Sequence, residues 1–467
     1  MSRRRGAVFV VLGCAILGLA AWGLWRDIGW IAQPFYAYAW WGYILVLDGF
    51  CALRRGHSLL TTRWRLVVPM AVGSVTFWFF FELLNVRFQN WYYVGVPRIE
   101  SLGDLVRGGV FAVVCFSTVF IGIFETIEAL AAAGLGRTWR GRPRALPAWV
   151  SYAVQALGAA MALAAICFPY YLSPLIWGSL TFLVDPWNYR RRHRSILRDV
   201  EARDWGLVAR VFVAGLICGV VWESMNFFAP QKWIYTVRGL EGAKLFEMPL
   251  LGFLGFPGLA YDCMAGFALL SALFLGNQTW EHPGDLRYAL PPKPRPRARV
   301  FWASVPVQVL FWAGVCVLSA GVSFGSLQLR MQDLHLSARE CARLADLGIG
   351  RPRQLVRAVR DSETRAAVKE RTGWSDPHIE DLVDRVELFT FKGIGASNGE
   401  ALRLIGVRRV EDLAEWEPEH LYRVLMERAR SLTRRSLRVD MVRVWVLASR
   451  DRGILIGGQA RRYGGRQ

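Results

Sequence analysis

Phe77-Trp78-Phe79-Phe80-Phe81-Glu82-Leu83-Leu84-Asn85 closes an apolar run with a carboxyl group and an amide three residues apart, and the run from Leu216 to Trp222 closes in the same way on Glu223 and Asn226. Each copy continues, after five or six residues, into Trp-x-Tyr: Trp91 and Tyr93 in the first, Trp233 and Tyr235 in the second. Three-residue spacing puts Glu and Asn on one face of a helix. An acid placed there lies at a membrane boundary rather than in water.

The match spreads outward from these motifs. Trp41-Gly42 answers Trp177-Gly178, Asp48 answers Asp185, and Arg54, Arg55, His57 and Ser58 answer Arg190, Arg191, His193 and Ser195. Downstream, Glu125 falls opposite Asp262, and the offset stays between 136 and 142 residues throughout. Self-similarity at one fixed period marks an internal duplication.

Composition agrees with a membrane body. The 467 residues are 54% hydrophobic with 21 Trp and 27 Phe, and several apolar runs reach the roughly 20 residues that cross a bilayer. We read nine spans, at about 7–25, 35–53, 66–84, 109–133, 146–168, 170–184, 206–228, 250–275 and 300–326. The sixth is short, holds Pro174 and turns back through a hairpin near Pro169-Tyr170-Tyr171.

The net charge of +20 is read loop by loop, because membrane proteins gather Lys and Arg on the cytoplasmic side. With the N-terminus inside, the inward segments hold 22 Lys plus Arg and the outward ones 7, which predicts the orientation. The expected architecture is all-α: two parallel four-helix repeats (1–145 and 146–284), a Pro/Arg linker and last span (285–330), a small soluble domain (331–453) and a basic Gly/Arg tail (454–467). Both Glu-x-x-Asn motifs and the soluble domain then lie on the outer face of the cell inner membrane. The Arg3-Arg4-Arg5 start followed by an apolar stretch reads as an uncleaved first span.

After residue 327 the chain turns polar and helical. Leu347-Gly348-Ile349 with Pro352 to Leu355, Arg371-Thr372-Gly373-Trp374-Ser375, and Phe391-Lys392-Gly393-Ile394-Gly395 running on through Leu402, Gly406-Val407 and Asp412-Leu413-Ala414 follow a double pattern. This region resembles the family of tandem helix-hairpin-helix modules catalogued as a domain of unknown function. The resemblance implies that Lys392, Gly393 and Gly395 form a phosphate-gripping hairpin, since such glycines let backbone amides approach an anion. Composition argues against nucleic acid as the partner: residues 331–427 carry 15 basic and 18 acidic side chains. The eleven Arg from 428 to 466 suit anionic lipid or an envelope polymer instead.

Candidate chemistry centres on the paired motifs. Glu82 and Glu223, one per repeat with Asn85 and Asn226 as hydrogen-bond partners, suit a general acid or a proton-coupled site, or else anchor the outer loops. Arg87 and Lys232 are the expected counter-charges. Glu125 and Asp262 join the predicted catalytic set, Asp262 because Gly255-Phe256-Pro257-Gly258 before it either opens a helix or lets helices pack closely. Trp91, Tyr93, Trp233, Tyr235 and Trp222 are candidate substrate contacts, and Glu247 a candidate cap. Asp48/His57 and Asp185/His193 read as loop-fixing pairs more than catalysts.

Eight scattered Cys, no Cys/His cluster, no nucleotide loop and no Ser or Cys nucleophile motif leave no cofactor or metal to expect. Three functions stay open: an enzyme using acid–base chemistry on a lipid or isoprenoid-like substrate, a proton-coupled transporter or lipid carrier, and an envelope scaffold whose C-terminal domain docks a partner protein.

Overall fold

Inside a bilayer a single segment can satisfy its own backbone only as a helix. Among the described residues of the computed structural model, seven helices are long and apolar enough to cross: Ser2–Trp25, Trp64–Phe88, Leu102–Ala132, Ala148–Cys167, Trp205–Phe228, Leu250–Phe274 and Arg299–Ala320. The structure describes residues 2–237, 244–282, 285–291, 298–320, 322–434 and 436–451. Most of the Pro/Arg linker and all of the basic tail lie outside them.

The two other expected spans differ from the seven. Phe35–Arg55 is one helix of 21 residues, but its Tyr, Trp and Asp48 lower its hydropathy. Residues 170–184 are not one helix: a single turn at Pro169–Leu172 and a 3-10 turn at Ser173–Ile176 precede Gly178, which takes φ +94°. Only then does Ser179–Arg190 begin. Pro174 lacks an amide donor, and a left-handed glycine cannot continue a right-handed turn.

The chain divides into two compact units. The first comprises Met1–Asn90, Ser101–Ala229 and Ala243–Ser319. Its principal helices are α1 Ser2–Trp25, α2 Phe35–Arg55, α3 Trp64–Phe88, α4 Leu102–Phe116, α5 Thr118–Ala132, α6 Ala148–Cys167, α7 Ser179–Arg190, α8 Trp205–Phe228, α9 Gly255–Phe274 and α10 Ala298–Ala320. Contacts come in matched sets: α1 packs along α2 as α6 packs along α7, and α2 meets α5 as α7 meets α9. The two halves touch where α5 meets α8 and where α3 meets α9, each contact mirroring the other across the sequence offset. On the outside of α3, the Trp312 indole of α10 donates to Thr76 at 3.0 Å and its ring stacks on Phe79.

Pro257, expected to open a span, sits in the first turn of α9, where its missing amide costs no hydrogen bond. The small residues around it serve close packing. A side chain at Gly215 would meet the Pro257 backbone at 2.6 Å, and one at Gly258 the Trp177 carbonyl at 2.9 Å.

The second unit comprises Trp91–Glu100, Pro230–Gly242 and Ala320–Gln467, so it takes in two segments that the sequence assigns to the membrane repeats. β1 (Trp91–Val94) and β2 (Lys232–Tyr235) pair antiparallel with Trp91 opposite Tyr235 and Tyr93 opposite Trp233. The two Trp-x-Tyr motifs are therefore each other's partners, ring type exchanged for ring type. β1 also lies parallel to the segment after residue 322, the Tyr93 amide donating to the Ser323 carbonyl at 2.6 Å and the Gly325 amide to the Tyr93 carbonyl at 2.8 Å. Tyr92, Val94 and Ile234 join one hydrophobic core with Leu344, Leu355, Phe389, Leu402, Leu425 and Trp445 of the helices that follow.

Candidate functional site

Glu82 and Asn85 sit in the last two turns of α3, and Glu223 and Asn226 in the last two of α8; all four are buried, the last three completely. The apolar run before each motif makes the helix, and the Glu-x-x-Asn spacing turns both polar groups inward. Trp78, one turn before Glu82, donates its indole N–H to Glu82 Oε1 at 3.0 Å. The Asn85 side chain accepts the Asn90 amide at 2.9 Å while its carbonyl accepts the Gln89 amide at 2.8 Å, closing the helix through a left-handed Gln89. Asn90 in turn accepts from Ser173 at 3.2 Å. Asn85 thus anchors the chain leaving the helix.

Aromatic rings join the two motif helices. The Trp78 ring centre lies 5.1 Å from that of Trp222, the residue before Glu223. Trp222 also contacts Trp40 at 5.4 Å and Tyr36 at 6.3 Å, and Tyr36 lies beside Glu223. Phe81 stacks on Trp177 at 4.9 Å. Edge-to-face and offset pairs of this kind add about 1 kcal/mol each beyond the area they bury. Trp222 is thereby part of the carboxyl environment, whereas Trp91, Tyr93, Trp233 and Tyr235 belong to the second unit's ribbon. The expected counter-charge Arg87 is exposed and makes no ion pair among the described residues.

Glu125 and Asp262 match in sequence but do different work. Both Asp262 oxygens are engaged: Oδ2 accepts the Gly178 amide at 2.9 Å, and Oδ1 accepts the Thr181 amide and hydroxyl at 2.6 Å. It caps α7 from a neighbouring helix. Glu125 is wholly buried in α5, lies against Asp48 of α2, and finds no hydrogen-bond donor for either oxygen among the described residues. Asp48 is already engaged by Ser58 and Leu60, so the Glu125 carboxyl group is left as a buried acid beside an occupied one. Along α2, Tyr36, Tyr43, which is bonded to Thr126 at 2.8 Å, and Asp48 are spread over about 18 Å at 1.5 Å per residue, Asp48 on a different face from the two tyrosines.

Asp48 and Asp185 hold loops. Asp48 accepts from the Ser58 hydroxyl and the Leu60 amide, both at 2.7 Å; Asp185 accepts the Ile196 and Leu197 amides at 2.8 and 2.9 Å. Ser58 and Ser195 each cap the short helix that follows. Leu60 and Leu197 are one repeat offset apart, so one construction occurs twice. The expected Asp48–His57 pair does not form, since His57 stacks on His282 at 3.9 Å. Replacing Asp185 by Ala strands two buried amide donors and is expected to cost about 2–3 kcal/mol. A lowered unfolding midpoint of the full chain in detergent, matched by Asp48→Ala, checks it.

In the second unit Lys392 takes φ +41°, and Gly393 and Gly395 take +72° and +75°. These glycines face the same unit's own chain. A side chain at Gly393 would meet Val94 at 2.0 Å, one at Gly395 would meet Ser326 at 2.8 Å, and the Tyr92 hydroxyl donates to the Lys392 carbonyl at 2.9 Å. The segment expected to grip phosphate is covered here by Val94 of the ribbon and by Ser326.

The first unit is a helical body with the spans of a membrane protein and acidic groups in its interior. Residues 334–452 match the family described as Domain of unknown function (DUF4332). No curated protein and no solved structure matches the chain.

Proposed function

We propose that this chain is a multi-pass protein of the cell inner membrane, built from two related four-helix halves, that performs acid–base chemistry on an apolar or amphipathic, lipid-like substrate. Glu82 and Glu223 supply the protons, with Asn85 and Asn226 fixing the helix ends beside them. The observation that carries this reading is the joining of the two motif helices by Trp78 and Trp222 directly next to two buried carboxyl groups. Ring faces beside such groups stabilise developing positive charge. The paired helix contacts, the twice-built Asp–Ser loop and the Trp-x-Tyr ribbon all support the duplication.

The buried acids Glu82 and Glu223 toward one end of the helices and Asp48 and Glu125 toward the other support a second reading, in which acidic groups relay protons for a carrier. Lipid extracts separate the two. A deletion strain of an enzyme lacks a chemical species that the wild type contains, whereas loss of a carrier leaves every species present and shifts its distribution.

The shared core of the ribbon and the C-terminal helices supports placing that domain on the same side as the loops after the Glu-x-x-Asn motifs. The covered glycines argue for a domain that holds its own ribbon rather than a nucleic acid.

A further inference from the structure

At the other end of the first unit's helices lies a cavity of about 590 Å³ that takes its walls from both halves: Arg54 and Arg55 at the end of α2, Glu128 of α5 with Arg137 and Arg140 after it, and Arg210 of α8. Arg210 stands 16 residues before Asn226 on α8, about 24 Å along the helix axis. This cavity is distinct from the Glu82/Glu223 region.

Its acids are already committed. Arg55 bridges Glu128 at 2.8 Å and Asp285 at 2.9 Å, and Glu281 pairs with Arg194 at 2.7 Å. Arg54, Arg137 and Arg140 make no ion pair among the described residues, and Arg210 reaches only the Leu135 carbonyl while its Nε is buried without a partner. Burial, the stacked His282 and Arg55 hold the His57 imidazole below its ordinary range, so the ring adds no charge at neutral pH. Four guanidinium groups that form no ion pair among the described residues therefore line one concavity, and Ile127, Ala131, Leu135 and Leu207 give it an apolar wall.

We propose that this cavity binds the phosphate of an anionic amphiphile, the monoester head against Arg54, Arg137, Arg140 and Arg210 and the first part of the chain along the apolar wall. Guanidinium groups engage phosphate oxygens in pairs, and three or more around one group select a doubly charged head over a zwitterion. Positive residues also gather on the cytoplasmic side merely to set orientation. That explanation requires no cavity and no choice among arginines.

The test uses the full chain in phosphatidylcholine nanodiscs, titrated with dihexanoyl phosphatidic acid, dihexanoyl phosphatidylcholine and inorganic phosphate. Saturable binding of the phosphatidic acid but not of the phosphatidylcholine is expected, and Arg54→Gln/Arg137→Gln/Arg140→Gln should weaken it about tenfold or more. The equally charged control Arg65→Gln/Arg191→Gln/Arg192→Gln, outside the cavity, should change it less than about twofold. Tighter binding of the lipid than of inorganic phosphate assigns the site to a headgroup; equal binding that depends on the same arginines assigns it to free phosphate. No saturable binding, or equal losses in both triple variants, overturns the proposal. Glu82→Gln/Glu223→Gln should bind the probe as the wild type does, so this site stands or falls apart from the acid–base reading.

Discussion

Glu82→Gln/Glu223→Gln is expected to accumulate in the membrane at the wild-type level and to fail to restore the lipid species that a deletion strain is expected to lack. Glutamine keeps the volume of glutamate and an oxygen that can accept the Trp78 indole, so any anchoring role survives the exchange. It cannot give or take a proton. Removing a general acid or base typically lowers rate by about 10²–10⁴-fold, and residues acting as one unit lose little more together than singly. Each single variant should therefore already show most of the loss. A double variant that complements fully would leave the carboxyl groups as structure alone.

Gly393→Ala is expected to unfold or loosen the second unit. A methyl group there meets Val94 at 2.0 Å, and the φ of +72° disfavours any side chain. The left-handed backbone costs about 1–2 kcal/mol and the overlap about 1–3 more. Gly348→Ala separates the two terms, because Gly348 has a similar φ of +74° with nothing within 4 Å. Limited proteolysis of the full chain should cut the Gly393 variant within residues 322–451 far faster than the Gly348 variant. Equal resistance of both would mean that the ribbon does not pack on the hairpin.

The matched residues at one offset were legible in the sequence, and at one such pair the structure makes like contacts: the Leu60 and Leu197 amides donate to Asp48 and Asp185. The helices were legible too, since long apolar runs have one solution in lipid. Residues 170–184 misled because a short apolar stretch reads alike as a span or as buried irregular chain, and only the Gly178 conformation separates them. Glu125 and Asp262 show the limit of matching by position. Their places correspond, but Asp262 faces free amides at the start of α7 while Glu125 faces another acid, and neither neighbour follows from sequence spacing. The family of the C-terminal region was recognisable by its residues, the Gly393-Ile394-Gly395 segment among them. What covers that segment comes from 300 residues away.

Carbodiimide labelling of the full chain in native membranes tests the central claim, that Glu82 and Glu223 are proton-exchanging acids sealed from water. The account predicts that dicyclohexylcarbodiimide, which partitions into the bilayer, modifies both residues as read by mass spectrometry of the peptides, that activity falls in step, and that a water-soluble carbodiimide leaves them untouched. Labelling of Glu82 and Glu223 by the water-soluble reagent, or of neither residue by the apolar one, would contradict it.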